Sequence, residues 1–330
     1  MSHSNTSLNC FASCMKKYEH MYILHTPSDL PPTPHIEFGI MAHDVLYRIG
    51  MARDFDENGL ALAEHFENIV PSELLYPELK EYFKINSWHD YFKAVCQQVI
   101  AYELQLVKEM NCPVEIKREL RMQLTVDQLK EMGYCHISQP LTGIIDLLIL
   151  GKDSATIVDY KFSTKVKTQD DFDMNSQLPL YALFVSKLYH IPIHNIRVGY
   201  IDIPKSDGGR PVELSNGFYS RSKSQAVLQE CFEEAIKQKH GDDPYYNCKP
   251  GGYYYDTYCA LSSNKAAYLN VQYIDEDAYK GIVGDLLDAA SMIDTMRENH
   301  MKFIKKYDSY SCKNCEFLSK CKPWTTVNWE

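Results

Sequence analysis

Short apolar runs bounded by turn residues mark the strands of this chain, and the clearest pair lies between Gly143 and Lys161, GIIDLLILGKDSATIVDYK. Residues 143 to 150 and 155 to 162 are rich in Ile, Leu and Val, and the Gly-Lys-Asp-Ser between them predicts a hairpin turn. In VEIKRELRMQLTV, Leu120, Met122 and Leu124 alternate with polar neighbours, which predicts another strand, and HNIRVGYIDIPK predicts a further one. Helical spacing takes over elsewhere. SELLYPELKEYFKI and SWHDYFKAVCQQVIAYELQLVKEM, between residues 51 and 112, read as amphipathic helices of an insertion or cap. SRSKSQAVLQECFEEAIKQKHG reads as a helix too. Tyr279, Ile282, Leu286, Ala290, Ile293 and Met296 recur at helical spacing before the C-terminal segment. The Pro-rich SDLPPTPHIEFG predicts a rigid surface connection. GGYYYDTYCALSSNKAAYLNVQYI has no clear period, and its tyrosines fit either stacking on unpaired bases or ordinary packing. No internal repeat or low-complexity tract interrupts the pattern.

The hairpin carries chemistry. Side chains alternate along a strand, so Asp159 and Lys161 share one face while Tyr160 points away, and Asp146 on the neighbouring strand can reach the same point. Two hard oxygen ligands suit Mg²⁺ or Mn²⁺, and a nearby ammonium can orient water and offset phosphate charge. Glu115 and Glu119 open the preceding strand. Either can serve as an added acidic ligand, but exposed carboxylates are the expectation for both.

The spacing of Asp146, Asp159 and Lys161 resembles the D...(D/E)xK core of the PD-(D/E)XK nuclease superfamily. Gln177 and Tyr181 in NSQLPLYALFVSKLY stand four apart on a helical face, which resembles the QxxxY signature of its RecB-like branch. Gly39, His43 and Leu46 in FGIMAHDVLYRIG resemble the GxxxHxxL segment of that branch. The resemblance implies an α/β (α+β) restriction-endonuclease-like core, a central mixed sheet flanked by helices with a helical insertion. It also implies roles: His43, Asp146, Asp159 and the backbone carbonyl of Tyr160 as metal ligands, Lys161 as the group that positions the attacking water, and Gln177 and Tyr181 as supports of the site and strand. The implied activity is metal-dependent DNA cleavage by an exonuclease acting on or generating single-stranded ends. A non-catalytic DNA-binding or scaffold subunit, a site-specific endonuclease and an RNA-directed enzyme are the alternatives.

Eleven cysteines, an odd number, and an opening MSHSNTSLNC without an apolar secretory core argue for a reducing interior rather than a disulfide framework. In SYSCKNCEFLSKC, Cys312, Cys315 and Cys321 are close enough to bind one metal centre, and a fourth ligand is missing. SLNCFASCMKKYEHMYI offers Cys14, with Cys10 as rival. This segment resembles the S-x-L-x-x-F-x-x-C-P-x-x-Y opening of the iron–sulfur nucleases, a group with the AddB subunit and the CRISPR-associated RecB-like exonucleases. Ser7, Leu8, Phe11 and Tyr18 then fall into register with Cys14, and Met15 stands where proline is usual. Four thiolates suit either Zn²⁺ or an iron–sulfur cluster. The resemblance implies a [4Fe–4S] staple linking the termini. Cys96, Cys112, Cys135, Cys231, Cys248 and Cys259 lack such spacing and read as small core or surface residues.

A formal charge of −10 excludes a protein that coats nucleic acid by bulk electrostatics. A locally basic channel remains open, because Lys16, Lys17, Lys161, Lys165, Lys167, Lys302, Lys305 and Lys306 sit in or beside the motif segments. No apolar run is long enough to span a membrane. The expected organisation is an N-terminal segment (1–38), a helical part (39–112), a nuclease core (113–270) and a C-terminal helix with the cysteine triad (271–330). The expected setting is the cytoplasm of a bacterial, archaeal or phage-infected cell, with recombination, helicase or CRISPR adaptation proteins as partners.

Overall fold

The computed structural model describes residues 2–53, 68–82, 88–163, 166–204, 211–224, 227–306 and 309–321. Six strands form one mixed sheet: β1 (His3–Ser4), β2 (Glu115–Leu124), β3 (Leu141–Leu150), β4 (Ala155–Ser163), β5 (Ile196–Pro204) and β6 (Tyr268–Tyr273). β3 lies along β2 for its whole length on one edge. Its other edge is shared: Leu141 and Thr142 pair with β1, and Leu147 to Leu150 pair with β4. Residues 143 to 146 therefore have no strand partner on that edge. β5 is parallel to β4 and antiparallel to β6.

Helices cover both faces. One core lies between the sheet and α1 (Asn5–Ser13), α8 (Gln177–Tyr189) and α11 (Glu276–Glu298). The opposite core holds α3 (Pro34–Arg53) and α5 (Trp88–Glu109). Of the shorter helices, α2 (Met15–Tyr18) follows α1, α4 (Pro77–Tyr82) precedes α5, α6 (Val126–Glu131) follows β2 and α7 (Gln169–Asp173) follows β4. The expected helix over residues 220–241 is shorter, α9 (Gln229–His240), and the unassigned tyrosine-rich segment yields α10 (Tyr255–Ala260) followed by β6. The Pro-rich connection is also shorter than expected, because α3 already begins at Pro34, where a fixed φ and a missing N–H cost the first helical turn nothing. Lys165, one of the motif lysines, and part of the predicted insertion lie outside the described residues.

The sheet's alternation breaks at one row. Leu120, Met122 and Leu124 of β2 face the first core, yet Ile116 faces the second. On β3, Leu141 and Ile145 face the first core while Leu147 and Ile149 face the second. A strand with period two cannot do this without a local twist. Glu119 supplies it with φ +45°, a left-handed conformation that costs a non-glycine residue about 1–3 kcal/mol. The β2–β3 ladder skips Glu119 opposite Asp146 and resumes in the same register on either side.

Beneath that row lies a buried ion pair. Arg118 donates through both guanidinium nitrogens to Glu103, at 3.1 and 2.9 Å, and the Tyr160 hydroxyl donates to Glu103 Oε1 at 2.6 Å. Space for Arg118 exists because α3 has Gly50 there: a Cβ would stand 2.3 Å from the guanidinium Nε. Both charged side chains are at most 4% exposed, so Glu103→Gln should destabilise the protein by about 3–5 kcal/mol by breaking a buried ion pair from one side. Denaturant unfolding of the variant measures this, and a change within 0.5 kcal/mol, the ordinary range of an exposed substitution, would show that the pair carries no such weight.

The chain ends pack together. His3 and Asp294 form a buried pair at 3.0 Å, and the Ser138 and Gln139 amides donate to the same Asp294 oxygen at 2.8 and 3.1 Å. Burial opposes the Asp294 charge, but these donors outweigh it and hold the carboxyl below its usual range. Phe11 and Tyr18 pack on Phe303, His20 stacks on Phe317, and Asp29 accepts from the Ser319 amide and hydroxyl. A third, smaller core gathers Phe232, Tyr254 and Leu261 with Phe218, Tyr246 and Tyr258 around it. Packing thus occupies Tyr254 and Tyr258 of the tyrosine-rich segment, while its Tyr273 stays 66% exposed.

Candidate active site

The broken row is where the chemistry gathers. Glu119 of β2 stands opposite Asp146 of β3, and continuing the β3–β4 register brings Asp159 of β4 next to Asp146. With the ladder interrupted, Asp146 Oδ2 accepts the Tyr160 N–H at 2.8 Å. His43, from the middle of α3, places Nδ1 3.6 Å from Asp146 Oδ2 and 3.8 Å from Glu119 Oε1. Donor atoms of His43, Glu119 and Asp146 lie within 4.8 Å of one another.

Asp159 stands outside that trio. Its buried Oδ2 lies 2.5 Å from Lys161 Nζ and has no well-aligned hydrogen-bond donor. Lys161 also donates to Gln177 Oε1 at 2.9 Å, and Gln177 Nε2 donates to the Tyr181 hydroxyl oxygen at 2.7 Å. Gln177 is fixed in turn by Asn175, whose side chain accepts from the Gln177 and Leu178 amides that open α8. Gly143 admits α8 to the sheet, since a Cβ there would come within 3.0 Å of the Phe184 and Tyr181 rings. On the next strand, Asp202 pairs in register with Lys161, is 1% exposed, and accepts the Lys167 N–H at 3.2 Å. Burial pushes Asp202 up to about 6.

The electrostatics are those of a site short of positive charge. Burial and then the charge of Asp159 raise Asp146, and burial raises Asp159 against the pull of Lys161. His43 is buried against its own charge, but Glu119, Asp146 and Asp159 outweigh this and hold it above the ordinary imidazole range. Protons thus neutralise carboxylates that a cation can neutralise instead. Three carboxylates and one imidazole suit Mg²⁺ or Mn²⁺. His43→Ala and Glu119→Gln should each weaken Mn²⁺ binding by roughly 10- to 100-fold, measured by calorimetry; unchanged affinity would return either residue to a bystander. Affinity should rise with pH up to about 7, the value to which Asp146 is raised. The native protein binds a proton there that the unfolded chain has released above about pH 4, so this group's contribution to metal-free stability falls as pH rises across the same interval.

The structure brings His43, Asp146, Asp159, Lys161, Gln177 and Tyr181 together around one row across the middle of the sheet. Glu119 is exposed, as expected, and its carboxylate lies with the donor atoms of His43 and Asp146. Glu115 instead pairs with Lys117. The cysteines are less closely assembled: no three sulfurs among the described residues lie within 4.8 Å of one another. Burial raises Cys321 against the pull of Lys305. Cys10 is raised to about 11, chiefly by burial.

A mixed sheet presenting carboxylates and a lysine at one broken row is the framework of a metal-dependent nuclease. The sequence matches the PD-(D/E)XK nuclease superfamily over residues 2–322, and the chain belongs to that superfamily. No curated protein matches it. Among the described residues no helix is long and apolar enough to cross a membrane.

Proposed function

We propose that the chain is a DNA exonuclease of the RecB-like branch, acting on or generating single-stranded ends in recombination, repair or CRISPR spacer processing. The row of Glu119, Asp146 and Asp159 beside His43 and Lys161 carries this reading. His43, Glu119, Asp146 and Asp159, with the Tyr160 carbonyl, would hold one or two Mg²⁺ or Mn²⁺ ions. A bound divalent cation supplies Lewis-acid stabilisation of phosphate charge. Lys161 orients the attacking water and adds positive charge beside the phosphate. Gln177 holds the Lys161 ammonium in place, and Tyr181 holds Gln177. The Tyr160 side chain, anchored on Glu103, fixes the strand between the two catalytic residues.

Cys14, Cys312, Cys315 and Cys321 would hold a [4Fe–4S] cluster with a structural role. The packing of Phe11 on Phe303 and His20 on Phe317, with the Asp29–Ser319 bonds, supports it, because the protein already brings both end segments to one place. Digestion of end-labelled linear DNA beside covalently closed circles, with Mg²⁺ or Mn²⁺, tests the exonuclease reading. Release of labelled nucleotides with intact circles is expected; cut circles would make the enzyme an endonuclease.

A further inference from the structure

A cavity lies against Gln177 and Tyr181. About 280 Å³ in volume, it is bounded by Ser4, Thr6, Arg121 and Thr142 together with Gly143, Gln177 and Tyr181. It occupies the place where β3 has no strand partner between β1 and β4. Sites for drug-sized organic ligands run to roughly 300–1,000 Å³, so this one suits a small group. Arg121 is its sole charged lining residue and makes no ion pair among the described residues.

The hydrogen-bond chain from the catalytic lysine ends here. Lys161 donates to the Gln177 carbonyl oxygen, which leaves the Gln177 amide nitrogen to donate to Tyr181. Tyr181 Oη accepts that bond and keeps its own proton to give away. A chain that starts at an ammonium and ends at a hydroxyl donor is polarised toward an anion at its far end. Arg121, Thr6 and Tyr181, each of which carries a donor group, therefore line a space with no acidic lining residue.

We infer that this cavity is a phosphate site, which takes a phosphate of the substrate strand adjoining the bond that lies against Lys161. The inference rests on the nuclease reading for its ligand. The phosphate is either internal to the strand or terminal, and both present the same oxygens to Arg121 and Tyr181. Occupation would couple strand position to the orientation of Lys161 through Gln177, so that the ammonium is fixed when the strand is seated.

Arg121→Gln tests this on an exposed side chain. Its KM for a short single-stranded oligonucleotide should rise about tenfold, the loss of one charge-assisted phosphate contact, and the slope of log affinity against log salt should fall by about one. Oligonucleotides with 5′-phosphate, 3′-phosphate or only hydroxyl ends separate the two sources. An equal loss on all three supports an internal phosphate, and a loss confined to one phosphorylated end supports a terminal one. Cleavage by Arg121→Gln with unchanged KM and salt slope on every substrate would overturn the phosphate site while leaving the nuclease intact. Inorganic phosphate gives the reverse separation: if it raises the melting temperature of the wild type and not of Arg121→Gln, and neither protein cleaves nucleic acid, the anion site stands and the nuclease reading fails.

Discussion

Asp159→Ala should lower metal-dependent cleavage by about 10³-fold or more, a loss of roughly 4 kcal/mol of transition-state stabilisation. Asp146→Ala should do the same. Each removes a carboxylate from a buried cluster of like charges, so the metal-free variants should be no less stable than the wild type. Lys161→Ala separates chemistry from binding: its cleavage should fall comparably while its Mn²⁺ affinity is retained, because its ammonium contacts Asp159 and Gln177 rather than the His43 group. Calorimetry beside single-turnover cleavage reads both quantities. Full activity in Asp159→Ala would remove the row from the mechanism.

The second large effect concerns the cysteines. Protein purified without oxygen should be brown and carry about four iron and four sulfide per chain. Cys14→Ala, Cys312→Ala, Cys315→Ala and Cys321→Ala should bleach it, and proteolysis should release the terminal segments faster. Those segments are already joined by His3–Asp294 and by the Asp29–Ser319 bonds, so the variants should loosen the ends without unfolding the sheet. Cys10→Ala should stay brown. If Cys10→Ala bleaches and Cys14→Ala does not, the fourth ligand is Cys10; stoichiometric zinc without sulfide would make the site a structural zinc centre.

Much of the site was legible because its residues lie in short, regular elements. Period two along β4 puts Asp159 and Lys161 on one face, and the helical repeat of α8 puts Gln177 below Tyr181. Glu119 could be named from the sequence but not chosen over Glu115, for the opposite reason. Its strand departs from period two at that residue, and only the antiparallel register with β3 sets it against Asp146. Glu103 left a trace in the sequence. Val99, Glu103 and Leu106 follow one buried helical stripe of α5, so an acid sits where the pattern calls for an apolar residue. Its partners, Arg118 and Tyr160, come from two strands and could not be chosen from spacing. Asp202 was unreadable for the same cause, since its place beside Lys161 depends on the parallel pairing of β4 with β5. The satellite core of Phe232 and Tyr254 is likewise a product of long-range packing.

The most direct measurement is single-turnover cleavage of end-labelled single-stranded DNA by the purified protein, with Mn²⁺ and with chelator, alongside Asp146→Asn. Cleavage should require the metal and be lost in Asp146→Asn. Cleavage that persists undiminished in chelator or in Asp146→Asn would contradict the proposed metal-dependent mechanism, as would a wild-type protein that binds Mn²⁺ through His43, Glu119 and Asp146 yet cuts no DNA.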